Sequence, residues 1–283
     1  MRLRSLLFVP SDRPERFAKA AASGADAIIL DLEDSVALAN KAAARAAVAN
    51  YLSGARAAFT MVRVNPLDGH MTAEDLAAFA QVRPDAIMLP KAEGARSIAD
   101  LDTILGSAFS GSEPLPPILP IATETPTAIF TLGSYRDVRD RLIGLTWGAE
   151  DLPAAIGATT SREEDGRYTA PYEMVRALTL FAAHSAGVAA IDTVFPAIDD
   201  ETGLAAYAAR ARRDGFTGMM AIHPSQVAAV NAAFTPSTEE VARARAIVDA
   251  FAANPQAGVL QIDGKMVDAP HLKQARHILS LAG

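Results

Sequence analysis

The chain has 283 residues, half of them apolar, with 33 Asp and Glu against 26 Lys and Arg and no cysteine. A net charge of −7 without a long basic run sets aside a protein that grips nucleic acid by its phosphates. The lack of cysteine excludes disulfides, thiolate metal centres and Cys nucleophiles, and fits a reducing compartment.

The amino terminus reads Arg2-Leu3-Arg4-Ser5-Leu6-Leu7-Phe8-Val9-Pro10, a basic start with an apolar run. The run is too short for a signal sequence, and Asp12-Arg13-Pro14-Glu15-Arg16 stands where a small-residue cleavage site would be. No apolar stretch reaches membrane-span length, so a soluble cytoplasmic protein is expected. Strand and helix then alternate. Strands are predicted at 3–9, 26–31, 59–64, 85–89, 117–122, 142–147, 190–195 and 218–222. Helices are predicted near 14–22, 39–52, 72–82, 97–106, 171–186 and 200–213. The strands are continuous apolar runs, as parallel strands covered on both faces require. Eight of them with interleaved helices predict an α/β protein, a (β/α)8 TIM barrel over residues 1–223 with its eighth helix following from 224. A doubly wound sheet is the rival, weakened because no dinucleotide or P-loop glycine motif follows any strand.

Past residue 224 the pattern changes. Pro224-Ser225-Gln226 opens a helix, Pro236-Ser237-Thr238-Glu239-Glu240 caps a long one, and Asn254-Pro255 ends it. Residues 259–267 read as a hairpin turning at Asp263-Gly264, and a closing helix begins near Pro270. Residues 236–283 thus form a C-terminal extension of helix, hairpin and helix, expected to lie over the same chain or a neighbouring subunit.

In a barrel, chemistry sits at the carboxyl ends of the strands. Those ends here carry Asp31, Glu33 and Asp34, then Arg63, Lys91, Glu124, Asp151 and His223. Oxygen donors dominate without thiols, so the expected metal is hard, Mg²⁺ or Mn²⁺. Glu124 and Asp151 follow adjacent strands and are the candidate ligands; capping the next helix is the alternative role. Arg63 ends a buried strand and needs an anion. A substrate carboxylate or thioester oxygen would serve, and so would an ion pair with Asp31 or Glu33; the residues leave both open. Asp31 and Glu33 would otherwise pair with Arg63 or Lys91 and cap the helix near 39. Lys91 is paired with carboxylates or is a Schiff-base amine. His223 reads as a capped structural histidine. Residues 1–19 hold five basic and two acidic side chains, among them Arg13, Arg16 and Lys19, which form a solvated basic face or a phosphate site.

Several segments carry a family resemblance. They are Leu6-Leu7-Phe8-Val9-Pro10 with Arg13-Pro14-Glu15-Arg16, Leu30-Asp31-Leu32-Glu33-Asp34-Ser35-Val36, Val62-Arg63-Val64-Asn65 and Leu89-Pro90-Lys91. Glu124-Thr125, Gly148-Ala149-Glu150-Asp151-Leu152 and Ala221-Ile222-His223-Pro224-Ser225-Gln226 follow in order. Over nearly its whole length the chain resembles citrate lyase β-subunit-like proteins, in the superfamily of malyl-CoA and citramalyl-CoA lyases. The resemblance implies a homotrimeric barrel that needs Mg²⁺, held by Glu124 and Asp151, with Arg63 on the substrate carboxylate or thioester carbonyl. It implies coenzyme A phosphates near Arg13, Arg16 and Lys19. It also implies a carboxylate from the neighbouring subunit's tail, which Gly264-Lys265-Met266-Val267-Asp268-Ala269-Pro270 assigns to Asp268. Two departures stand out: Thr125 is followed by Pro126-Thr127-Ala128 where relatives often read Ala-Arg-Gly, and Ala155 replaces a common second Asp.

The implied reaction is reversible cleavage of a carboxylated 3-hydroxyacyl-CoA such as malyl-, citramalyl- or citryl-CoA into acetyl-CoA, or a homologue, and an oxo acid. Asp268 would protonate the enolate. Three alternatives remain: an acyl-CoA thioesterase, a citrate lyase β subunit acting on an acyl-carrier-protein thioester, and a non-catalytic binding subunit. Asp268 speaks against the second, and the retained mouth charges speak against the third.

Overall fold

The computed structural model describes residues 2–109 and 114–282. Eight parallel strands run in sequence as β1 (Ser5–Pro10), β2 (Ala27–Asp31), β3 (Phe59–Arg63), β4 (Ala86–Leu89), β5 (Ile118–Pro120), β6 (Gly144–Thr146), β7 (Ala189–Asp192) and β8 (Gly218–Ala221). Apart from β5 and β6, each neighbours its successor, and β1 pairs with β8. The remaining seam, between β5 and β6, closes through the parallel bridges Ile118–Leu142 and Ile121–Thr146. The result is the expected (β/α)8 barrel.

Leu6, Ile29, Met61, Met88, Leu119 and Met220 pack together in one buried cluster drawn from the strands, with Phe8 half-buried against it. Gly218 is forced by this closure: a Cβ there would meet the Leu3 carbonyl oxygen at 1.8 Å. Parallel register sets Asp31 beside Arg63, fixing the first pair of mouth residues before any side-chain choice is made.

The helices are α1 (Phe17–Ala21), α2 (Lys41–Leu52), α3 (Met71–Ala78), α4 (Ala95–Ala108), α5 (Pro126–Thr131), α6 (Asp151–Ile156), α7 (Ala170–Ala186) and α8 (Glu201–Asp214). Two were not expected. α5 is short, opened by Thr125, whose hydroxyl accepts from the Ala128 amide at 3.2 Å, and it runs into 3-10 turns over Leu132–Arg141. α6 follows β6 directly and begins at Asp151. Neither offers the two or more turns over which an apolar stripe can be recognised. The helix expected at 14–22 divides into a 3-10 turn, Pro14–Arg16, and α1.

After α9 (Gln226–Ala233) the chain forms a second compact unit from Ala232 onward. α10 (Thr238–Ala253) starts in a capping box: Glu240 N–H donates to Ser237 Oγ at 3.1 Å and Ser237 N–H to Glu240 Oε2 at 2.7 Å. β9 (Val259–Ile262) and β10 (Lys265–Asp268) form the hairpin, with positive φ at Asp263 and Gly264 as a two-residue turn of this hand requires. α11 (Ala269–Leu281) closes the unit. Ala244, Ile247, Val267 and Ala275 form its core, with Leu260, Ile262 and Leu272 against them. Val259 and Met266 stay exposed.

Candidate active site

The carboxyl ends of the strands surround a cleft of about 450 Å³. Phe8, Ile121, Val194 and Met220 line its depth, and Arg63, Glu124 and Asp151 are among its polar walls. Arg63 makes a two-pronged pair with Asp31, Nε to Oδ1 and Nη2 to Oδ2, each at 2.7 Å. Its Nη1 lies 2.7 Å from Glu33 Oε2, and its guanidinium stacks over Phe8 at 4.9 Å. The ion pair is therefore built into the fold, while Arg63 still lines the cleft. Burial alone would raise the Asp31 pKa; the Arg63 hydrogen bonds and charge outweigh it and hold that carboxyl below its ordinary value. Burial raises the Glu33 pKa despite Arg63 and Lys91.

Lys91 ties this group to the carboxylates on the far wall. Its Nζ lies 2.6 Å from Glu33 Oε1 and 3.5 Å from Asp151 Oδ1. Burial alone would depress the ammonium; its hydrogen bond to Glu33 and the charges of Glu33, Glu124 and Asp151 prevail and hold its pKa above the ordinary value. A Schiff-base lysine needs a neutral amine, so the pairing reading prevails here. Its backbone is left-handed, with φ of 51°, which aims the Lys91 amide at Glu124 Oε2, 2.5 Å away.

Glu124 is buried, and its pKa is pushed up to about 8 by burial, with Asp151 and Glu33 adding to the rise against the Lys91 amide. Gly148 completes the wall: a Cβ there would sit 2.7 Å from Glu124 Cγ. Among the described residues no group of three His, Cys, Asp or Glu is placed to hold a metal. Glu124 and Asp151 nonetheless suit a hard cation, since Mg²⁺ is commonly held by one or two carboxylates plus water and substrate. The ionised form of Glu124 is disfavoured first by burial and then by the like charge of Asp151, and a bound cation would offset both.

Not every expected residue is at this cleft. Arg13, Arg16 and Lys19 are exposed on the 3-10 turn and α1, and Arg13 comes no closer than 4.0 Å to its nearest acid, Asp12. Asp268 belongs to the second unit, where it caps α11: Oδ1 lies 2.5 Å from His271 Nδ1, a bond that lowers its pKa. Asp31 caps no helix; it accepts from the Glu33 and Ser35 amides at 2.9 and 3.2 Å, and Asn40 before α2 makes no side-chain cap. His223 pairs with Ser225 at 2.7 Å, a local structural contact.

Two supporting networks had no sequence signal strong enough to find. Lys41, the first residue of α2, buries its ammonium among the Leu32 and Glu33 carbonyls at 2.5 and 2.7 Å and Asn65 Oδ1 at 2.8 Å. Asn65 in turn donates to the fully buried Asp75, which pairs with Arg45. On the opposite side Asp192 ends β7 and accepts from Trp147 Nε1 at 2.7 Å, Arg176 Nη2 at 2.7 Å and Tyr207 Oη at 3.1 Å. β7 ends at Asp192, but Val194 and Phe195 continue its apolar run to 195, which hides Asp192 as a strand end.

A parallel eight-stranded barrel with convergent carboxylates at its carboxyl-end mouth defines the class: a TIM-barrel enzyme site. The chain belongs to the HpcH/HpaI aldolase/citrate lyase family, whose model matches residues 4–224. It is 39% identical over 287 residues to the citrate lyase subunit beta-like protein of Mycobacterium tuberculosis, covering 98% of this chain and 94% of the relative. It is 36% identical to a (3S)-malyl-CoA thioesterase of Cereibacter sphaeroides, covering 99% and 94%. Protein CitE of Mycobacterium tuberculosis, solved with magnesium, acetoacetate and coenzyme A, superposes with a TM-score of 0.83 at 38% identity, covering 99% of this chain and 98% of that one. A citrate lyase beta subunit from the same organism, solved with oxaloacetate and magnesium, gives 0.72 at 39%, covering 82% and 96%. No helix among the described residues is long and apolar enough to cross a membrane.

Proposed function

We propose that this protein is a Mg²⁺-dependent carbon–carbon lyase, Mn²⁺ being able to substitute, that cleaves or forms a carboxylated 3-hydroxyacyl-CoA thioester. The observation that carries this is the meeting, in one cleft, of two candidate metal carboxylates with a buttressed arginine. Glu124 and Asp151 would hold the ion, which when bound supplies Lewis acidity toward the substrate's hydroxyl and carboxylate oxygens. In cleavage the hydroxyl proton passes to solvent, the hydroxyl carbon becomes a carbonyl, and the electron pair of the breaking carbon–carbon bond becomes the enolate of acetyl-CoA. Arg63, fixed by Asp31 and Glu33, faces that oxyanion with its orientation already set. Lys91 holds Glu33 and, through its amide, Glu124. Asp268, from the tail of a neighbouring copy in a homotrimer, delivers the proton to the enolate carbon. Arg13, Arg16 and Lys19 give the coenzyme phosphates an exposed basic strip.

Purified protein with Mg²⁺ should convert at least one of malyl-, citramalyl-, citryl- and 3-hydroxy-3-methylglutaryl-CoA to an acyl-CoA and an oxo acid, resolved by chromatography. No conversion of any, with or without metal, would remove the reading. A thioesterase outcome is the second reading, favoured by the likeness to a malyl-CoA thioesterase; free CoA without acetyl-CoA would establish it.

A further inference from the structure

α10 and α11 both open in a capping box, but the two boxes differ chemically. In α10 the third helical residue is Glu240, whose carboxylate accepts from the Ser237 amide at 2.7 Å. In α11 the capping residue is itself an acid, Asp268, and the third position holds His271. A glutamate there would set two carboxylates side by side, whereas a histidine can donate. Pro270, between them, brings no N–H of its own.

The geometry decides what the imidazole does. His271 Nδ1 lies 2.5 Å from Asp268 Oδ1 and 3.3 Å from the Asp268 amide nitrogen. One ring nitrogen cannot serve both, since it either carries a proton and donates or is bare and accepts. An ionised carboxylate only accepts, so beside it a bare Nδ1 would set two lone pairs 2.5 Å apart. The proton therefore sits on Nδ1 and is donated to Oδ1, and the longer contact to the amide gives way. The same bond is the largest cause of the lowered Asp268 pKa. Both side chains are partly exposed, 46% for His271 and 32% for Asp268, and an exposed pair adds little to stability. What it supplies is orientation: with Oδ1 held, Oδ2 is the oxygen left to work.

We infer that His271 is the positioning residue of the acid–base step: its Nδ1–H holds Asp268 Oδ1 and leaves Oδ2 to carry the proton to and from the acyl α-carbon. This rests on the lyase reading above, in which Asp268 protonates the enolate. In cleavage the O–H bond at Oδ2 breaks and its proton bonds to the enolate carbon. The electron pair left on Asp268 is the charge that Nδ1–H then stabilises. In condensation the same oxygen takes an α-proton, and the pair of the C–H bond becomes the enolate. Oδ1 accepts in both protonation states of the carboxyl, so the orientation survives the whole cycle.

The test uses the full-length protein saturated with Mg²⁺ and follows two rates. One is carbon–carbon cleavage of the thioesters named above; the other is deuterium uptake by acetyl-CoA in D₂O with pyruvate present. His271→Ala should lower kcat for cleavage and the exchange rate by about 10- to 10²-fold, with KM and Mg²⁺ affinity unchanged. His271→Asn puts an amide N–H where Nδ1 stood and should recover most of that loss. His271→Glu rebuilds a box of the α10 kind, accepting from the Asp268 amide, yet it donates nothing and should stay at least as slow as His271→Ala. Wild-type rates in His271→Ala or His271→Glu, or no recovery in His271→Asn, overturn the assignment and leave the lyase reading standing. If no thioester is cleaved, exchange that follows this order of variants still supports the assignment while the lyase reading falls. If the wild type shows neither cleavage nor exchange, both fall.

Discussion

At the residue scale, Glu124 is set by three neighbours acting at once. The Lys91 amide donates to it, Gly148 leaves room for its stem, and Asp151 supplies a like charge that a cation would relieve. Glu124→Gln and Asp151→Asn should each weaken Mg²⁺ binding by about tenfold or more, with circular dichroism unchanged, since the sites line a mouth rather than the packed barrel core. Gly148→Ala should do the same without removing a ligand, because its methyl would displace the Glu124 side chain. Calorimetric metal affinities equal to wild type in all three would assign the ion elsewhere. The same carboxyl carries a pH signature. Its pKa is about 8 in the folded chain against 4.5 for an ordinary glutamate. Between those values the unfolded chain binds fewer protons at this position than the folded one, so its contribution to stability declines as pH rises across that window. The metal-free melting temperature should therefore fall more steeply from about pH 5 to pH 8 in the wild type than in Glu124→Gln. Equal slopes would show that Glu124 ionises normally.

At the element scale, the loop after β2 is positioned from behind. Lys41 holds the Leu32 and Glu33 carbonyls, and Glu33 in turn meets Arg63 and Lys91. Lys41→Met should leave those buried acceptors and Asn65 unsatisfied, costing about 1–3 kcal/mol in denaturant melts. It should also lower kcat by more than the melt alone explains at a temperature where the variant is fully folded. A variant that loses stability but keeps kcat would confine Lys41 to the scaffold. The eight strands were legible because each is a continuous apolar run, and the mouth acids because each directly follows one. The hairpin and α10 were legible because Asp263-Gly264 and Ser237-x-x-Glu240 are local chemistry. Lys41 was hidden because a lysine opening an alanine-rich helix reads as solvated, and only its contacts with Leu32, Glu33 and Asn65, just past β2 and β3, reveal its burial. α5 and α6 were hidden because six residues give no period to read. The Arg63 dilemma was not soluble from the sequence either: register places Asp31 beside it, yet the side chain also lines the cleft.

At the scale of the whole molecule, the barrel and the tail are separate compact units, each with its own core. The tail keeps Leu260, Ile262 and Val267 for itself and leaves Val259 and Met266 exposed on the hairpin that leads to Asp268. Asp268 is preorganised before any docking, because capping α11 and bonding His271 fix its carboxyl at a helix start. If that carboxyl serves the mouth of a neighbouring copy, two different defects in one assembly can complement. Asp268→Ala should reduce enolate proton transfer by about 10²–10⁴-fold, the span usual for a positioned acid or base, while Mg²⁺ affinity stays at the wild-type value. Asp151→Asn, assayed at a Mg²⁺ concentration too low to fill its weakened site, should be inactive but keep an intact tail. Mixed and allowed to exchange subunits, the two inactive variants should recover part of the wild-type rate, since some interfaces then join an intact tail to an intact metal site. Native mass spectrometry can verify exchange independently of activity. Verified mixed assemblies that remain as inactive as the parents would mean that Asp268 serves its own barrel or only its own helix, and the active site would not be shared.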